Sequence, residues 1–335
     1  MPDAESEFAP PLGFALQKVT VQTGPDGRVE RQWPRYAPNA DLVSLTIESL
    51  KQTFEEYKGR AELTPPPEHF VDDLAVGFII GDAHFGGYAD FLETKIANWD
   101  TKIASRMHLD AMCDLVNSMP ATRKAFILGL GDFIHFDTAS GTTTAGTQVD
   151  VDTRRSRVCH AALISARSMI ELALQKYQEI EVEFLPGNHD EFSAPWLALG
   201  LWSWFHNEPR VKVNCDPGFF WKWTFGRNFI VSYHGNNARP KNAPEIMARD
   251  FPREWGESDY RYALVGHTHH IDKFRKGGAI VEAFETLCPP DAWHKRQGYG
   301  AGPICGRSMT AIAFHKDYGE RYRTTVTAQQ LESFK

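Results

Sequence analysis

The chain has 335 residues, 42% hydrophobic and 24% charged, with a net charge of −7. That is globular composition, enough for one large domain or two small ones, and no run approaches the ~18 apolar residues of a membrane span, which argues against a membrane partner. Positions 1–74 hold 13 acidic and 7 basic residues, so they carry −6 and the remainder is nearly neutral, neither supporting nor excluding a polyanionic partner. The acidic start Met1-Pro2-Asp3-Ala4-Glu5 lacks the basic and apolar regions of a signal peptide. Five scattered cysteines without a CxxC pair argue for a reducing, cytoplasmic compartment and against a zinc ribbon.

In chain order, residues 14–21 read as a strand and Pro25-Asp26-Gly27 as a turn. Asp41 is placed to cap a helix through about Tyr57, with Leu42, Leu45, Leu50 and Phe54 on one face. That helix would pack on the body or on a second subunit of a homodimer. The stiff Thr64-Pro65-Pro66-Pro67-Glu68 segment sets a boundary between an arm of residues 1–73 and a body of residues 74–335.

The body opens on a continuous apolar run, residues 74–80, the mark of a strand buried on both faces, and it ends in Gly81-Asp82-Ala83-His84. A helix follows from about Asp100, with Ile103, Met107, Ala111 and Leu115 at helical spacing. A second buried strand, 125–130, runs into Gly131-Asp132-Phe133-Ile134-His135. The Thr- and Gly-rich stretch 136–153 reads as a surface loop, and 154–178 as a helix. A third strand, 181–186, runs into Gly187-Asn188-His189-Asp190, after which Ser193 is placed to cap a helix through about Phe205. Strand 228–233 then ends at His234-Gly235, and strand 260–265 at Gly266-His267-Thr268-His269-His270. Further strands are expected at 279–284, 309–314 and 321–327. Strand–helix alternation followed by strands implies an α/β sandwich with a mixed sheet.

Five strands thus end in donors: Asp82 and His84, Asp132, Asn188, His234, and His267 with His269. In α/β sheets, ligands gather at the carboxyl ends of strands. Two carboxylates, four imidazoles and an amide oxygen suit borderline divalent ions such as Mn, Fe, Zn or Ni. Two such ions need a shared carboxylate between them, and Asp132 is the natural bridge. One ion would take Asp82, His84, Asp132 and His269, the other Asp132, Asn188, His234 and His267. With a shared hydroxide the centre keeps a positive charge that attracts a phosphate.

The ordered blocks D-x-H, G-D, G-N-H-D, H and G-H-x-H, standing here from Asp82 to His269, resemble the calcineurin-like metallophosphoesterase superfamily. The resemblance implies a four-layer α/β sandwich with mixed β-sheets and a dinuclear metal site at the strand ends, manganese being favoured and Fe, Zn, Ni or Mg the other options. It also implies that His189 protonates the leaving group or stabilises the transition state, and that Asp190 orients His189. Many members carry Asp three residues after the bridging Asp, where this chain has His135. The Gly-Asp-Phe-Ile-His form is similar to the recombination-repair DNA nucleases of the superfamily, which implies that His135 contacts the substrate or leaving group. Residues 138–147, Asp150, Asp152, Asp291-Ala292-Trp293-His294 and Gly298-Tyr299 resemble phage and prophage metallophosphoesterases, which would place the protein in a host cytoplasm.

Around these blocks, Arg154 and Arg155 are candidates to clamp a substrate phosphate, and His294 is a candidate at the rim. Trp196, Trp202 and Trp204 on one short helix read as packing residues. The favoured expectation is a DNA phosphodiesterase of exonuclease type. Its rivals are a phosphomonoesterase or small-nucleotide phosphodiesterase, and a metal-free scaffold of the same fold.

Overall fold

The computed structural model describes residues 14–38, 59–298 and 306–333. The chain divides into two compact units, Met1–Tyr57 and Lys58–Lys335. In the first, β1 (Phe14–Thr23) pairs antiparallel with β2 (Val29–Pro38). The expected turn joins them: the Gly27 N–H donates to the Gly24 carbonyl, and the Asp26 carboxylate accepts the Arg28 N–H. The helix expected over 41–57 lies outside the described residues.

The second unit is built on two mixed sheets. The first has the order β13-β12-β3-β4-β5-β6. Its centre is three parallel strands, β3 (Val71–Ile80), β4 (Thr122–Gly129) and β5 (Glu179–Phe184), continued by the short parallel β6 (Val211–Val213). On the other side β12 (Ser308–His315) and β13 (Gly319–Thr327) run antiparallel. The second sheet has the order β10-β11-β9-β8-β7. Here β8 (Asn228–Tyr233), β9 (Tyr260–Val265) and β11 (Ala279–Ala283) are parallel, edged by antiparallel β7 (Trp221–Phe225) and β10 (Asp272–Lys276).

Strand pleating explains the layers, because successive side chains point to opposite faces. Val76, Phe78, Ile80 and Ile127 join a core with the helices that follow the short α1 (Phe91–Thr94), namely α2 (Thr101–Ser118), α3 (Arg155–Leu174) and α4 (Ser193–Trp204). Their neighbours Ala75, Ile79, Phe126 and Leu128 turn the other way and meet Trp221, Trp223, Ile230 and Leu264 of the second sheet. The far face of that sheet, with Phe229, Val231, Ala263 and Val265, packs against Ala243 and Met247 of α5 (Ala243–Asp250). The result is helix, sheet, sheet, helix. The continuous apolar run of β3 is required because both of its faces are covered.

Several local features differ from the sequence expectations. The charged β10 went unseen, because an exposed edge strand carries no apolar alternation. Ser193 is the first residue of α4 and does not cap it. The cap is supplied by Asp137, whose carboxylate accepts the N–H groups of Phe192 (2.8 Å) and Ser193 (3.0 Å) and the Ser193 hydroxyl (2.5 Å). For the same reason the 136–153 connection is not simply a surface loop: Phe136, Asp137 and Thr143 are buried.

Candidate metal centre

All five donor-bearing turns lie at the carboxyl ends of their strands, three from the first sheet and two from the second. Backbone hydrogen bonds hold neighbouring turns together. The His84 N–H donates to the Asp132 carbonyl (3.0 Å) and the Phe85 N–H to that of Phe133 (2.9 Å). In the second sheet the Gly266 N–H donates to the His234 carbonyl (3.0 Å). His84, Asp132, His267 and His269 all have positive φ (47°, 50°, 69° and 57°). Such a conformation costs a non-glycine residue on the order of 1–3 kcal/mol, a cost concentrated where the donors converge.

The donors fall into groups whose ligand atoms lie within 4.8 Å of one another: Asp82, His84 and His269, and Asp132, His234 and His267. That spread fits a common ion at about 2.0–2.2 Å from each atom. In the first group, His269 Nε2 is 3.0 Å from Asp82 Oδ2 and 3.2 Å from His84 Nε2. In the second, His234 Nε2 is 3.1 Å from Asp132 Oδ2 and 3.0 Å from Asn188 Oδ1. The His234 Nδ1–H donates to the Leu130 carbonyl (2.9 Å), which fixes the tautomer and leaves Nε2 for the site. Two glycines make the convergence possible. A Cβ on Gly187 would lie 2.1 Å from Asp132 Oδ1, and one on Gly266 would lie 2.5 Å from Asp82 Oδ1.

The electrostatics are those of a cation site. Burial works against ionisation of Asp82, yet His269 and His234 outweigh it and lower its pKa. Burial likewise opposes the Asp132 carboxylate, and His234 and His189 hold it below the ordinary range. Burial alone would lower His234, but Asp132 and Asp82 push it up to about 10. Buried carboxylates facing imidazoles therefore hold positive charge strongly, and a divalent ion competes for it with the imidazole protons.

Beside these donors stand His135 and His189, grouped with His84. His135 is buried, its ring stacks on His189 at 5.1 Å, and its Nδ1 is 3.0 Å from His84 Nδ1. Its Nε2 is buried without a hydrogen-bond partner, and burial lowers its pKa to about 3. The His189 Nδ1–H donates to the His135 carbonyl (2.7 Å), so its Nε2 faces the donors, 4.0 Å from Asp132 Oδ2.

This geometry corrects the role expected of Asp190. Its carboxylate does not hold the His189 imidazole. It accepts the backbone N–H groups of Gly187 (2.8 Å), Ile134 (3.0 Å) and Asp132 (3.2 Å). Asp190 thus steadies the Asp132 turn against the Asn188 turn, and burial with the nearby Asp132 charge raises its pKa to about 7.

Of the outer candidates, His294 lies at the site. Its Nδ1 is 2.7 Å from Asp291 Oδ1, and its ring stacks on His269 at 5.8 Å. With Trp293, His267 and His269 it lines a cavity of about 670 Å³. Arg155 is occupied elsewhere: its Nη2 donates to Ser193 Oγ (2.7 Å) and lies 3.8 Å from Asp137. Arg154 is exposed at the start of α3. Sequence reasoning missed Asp137 and the His135 carbonyl as supports, because nothing in a linear pattern marks which distant N–H a carboxylate or carbonyl will meet.

The description "calcineurin-like phosphoesterase" belongs to the family whose profile matches residues 78–319, a span that contains every donor above. The chain is therefore a member of the calcineurin-like phosphoesterase family. No curated protein matches the sequence significantly. Similar solved structures include a conserved uncharacterized protein, a predicted phosphoesterase, from Streptococcus pneumoniae, at 9% identity and TM-score 0.28, covering 77% of this chain and 99% of that one. A Vps29 single mutant from Entamoeba histolytica matches at 13% identity and TM-score 0.29, covering 75% and 98%. A 5'-nucleotidase precursor from Thermus thermophilus matches at 11% identity and TM-score 0.32, covering 76% and 54%. No helix of the described residues is long and apolar enough to cross a membrane.

Proposed function

We propose that this protein is a dinuclear-metal-dependent phosphodiesterase acting on DNA. The observation that carries the reading is the pairing of two donor groups with non-ligand histidines at one strand-end edge. Asp82, His84 and His269 would hold one ion, and Asn188, His234 and His267 the other, with Asp132 shared between them. When bound, the two ions, manganese being favoured, supply an acidified water for in-line attack and neutralise charge on the phosphoryl oxygens.

The chain's own residues do the rest. The His135 carbonyl fixes the His189 ring, so a proton on His189 Nε2 is presented to the phosphoryl or leaving oxygen. His135 Nε2, buried and without a partner, is poised to pair with the same substrate group. Asp291 holds His294 Nδ1, leaving Nε2 as a further contact at the cavity wall. The preference for a DNA diester rests on His135 at the position where many relatives carry Asp.

The reading is tested by purified protein with added Mn²⁺ on single-stranded DNA, double-stranded DNA, a bis-aryl phosphodiester and an aryl phosphomonoester. Cleavage of DNA and the aryl diester is expected. Turnover of the monoester alone would defeat the DNA reading, and normal turnover by a metal-free Asp132→Ala variant would defeat the mechanism.

A further inference from the structure

Among the described residues, a large cleft outside the metal centre opens where the edges of the two sheets meet, between the β10–β11 hairpin and the edge strand β13. Its volume is about 820 Å³. Ion pairs stitch its floor. Lys273 bonds Glu282 (3.0 Å) and Glu320 (3.2 Å), and Arg323 bonds the same two carboxylates (2.8 Å and 2.7 Å). These charges cancel.

The rim is different. Among the described residues no carboxylate pairs with Arg275 or Arg321, which are both exposed, and Arg261 bonds the backbone carbonyls of Trp255 and Ser258 and lies over the Trp255 ring at 4.5 Å. Uncompensated arginines therefore gather on a body that is otherwise nearly neutral. Beside them stand two exposed rings, Tyr318 (70% exposed) and Tyr322 (50% exposed), the latter beneath the Arg321 guanidinium at 5.6 Å. Arginine forks match phosphate oxygens, and exposed aromatic faces accept bases of any sequence.

From this juxtaposition we infer a second binding site: the cleft holds a segment of single-stranded nucleic acid, with phosphates on Arg275 and Arg321 and bases against Tyr318 and Tyr322. An acidic peptide would satisfy the arginines but leave both rings unused. The site is remote from the metal centre. Tyr260 and Arg261 line the cleft at one end of β9, whereas His267 and His269 follow its other end, about 17 Å away at strand rise. β10 bridges that interval, leaving the His269 turn at Asp272, entering the cleft at Lys273 and carrying on to Arg275 at its rim. A bound strand can follow β10 from the cleft to the donors. That last use of the cleft rests on the DNA reading above, whereas the binding itself does not.

The experiment is a salt titration of binding. Full-length protein is mixed with a fluorescein-labelled, phosphorothioate-linked thymidine oligonucleotide about a dozen nucleotides long, and anisotropy is read. Wild type is expected to bind with a salt-dependent Kd. Arg275→Gln/Arg321→Gln should raise Kd about tenfold or more and flatten the log K against log salt slope by about 1.4, two lost phosphate contacts at ~0.7 each. Tyr318→Ala/Tyr322→Ala should weaken binding with the slope unchanged. Melting temperature and turnover of the aryl diester should stay at wild-type values in both variants. No binding by wild type, identical binding by the arginine variant, or arginine-dependent binding of polyglutamate without oligonucleotide binding would overturn the proposal. Arginine-dependent binding without any DNA cleavage would leave the cleft standing and remove the nuclease reading. DNA cleavage with binding indifferent to the arginines would do the reverse.

Discussion

Within the turn after β5, three consecutive residues do three different jobs. Asn188 faces His234 Nε2, His189 turns its Nε2 toward Asp132 at 4.0 Å, and Asp190 ties backbones together. The sequence made the residue types and their order readable, because the Gly-Asn-His-Asp block, ambiguous alone, stands with four companion donor blocks at strand ends. It could not show that the partner of His189 is a carbonyl from another turn. The consequence is testable. His189→Asn removes a proton donor without touching the donor groups, so kcat on the aryl diester should fall by about 10²–10⁴. Metal content, measured by elemental analysis, should stay at the wild-type ratio. A variant that also loses metal would make His189 a ligand.

At the scale of elements, the site depends on how two connections grip each other. The segment after His135 sends Asp137 under α4, where it accepts three hydrogen bonds from Phe192 and Ser193 and a fourth from the Thr144 hydroxyl (2.6 Å). The buried strands β3, β4, β5, β8, β9 and β12 and the helices α2 to α4 were legible from burial pattern and periodicity, whereas β6, β7, β10 and α5 were not, nor was this cap, because Ser193 offers the local solution and the fold uses a distant one. Asp137→Asn leaves one amide oxygen to satisfy those donors. It should cost about 1–3 kcal/mol in urea denaturation while metal stoichiometry is kept. Helix α2 carries a second device. His108 is buried between Phe85 and Trp99, donates through Nδ1 to the Ala104 carbonyl (2.8 Å), and burial lowers its pKa to about 4 from 6.5. The unfolded chain binds this proton more readily than the native one. Its contribution is therefore present above pH 6.5 and lost as pH falls toward 4, by on the order of 3 kcal/mol in all. Replacing it, His108→Gln, should flatten the stability profile between pH 4.5 and 6.5 relative to wild type. An unchanged slope would mean that the imidazole titrates normally in the fold.

For the whole molecule, the donors matter because they come from both sheets. Asp82, Asp132 and Asn188 follow strands of the first, and His234, His267 and His269 follow strands of the second. The sheets are joined along one edge by the Lys273, Arg323, Glu282 and Glu320 network and through the middle by the Phe126 and Trp223 core. At the strand ends the facing groups are buried carboxylates and imidazoles, which attract each other only while some carry protons. A bound ion would replace that pH-dependent attraction with fixed charge and would be held by residues from both sheets, which would link metal binding to sheet-to-sheet stability. Anything that binds the native state stabilises it by about 2.7 kcal/mol per site at a free concentration one hundred times Kd. Chelator-treated protein should consequently melt at least about 5 °C below the Mn²⁺-loaded form. Restoring the ion should restore the melting temperature, and Asp132→Asn should remove most of the difference between the two states. Equal melting curves for stripped and loaded wild type would show that the ions sit on an already rigid edge and contribute chemistry alone.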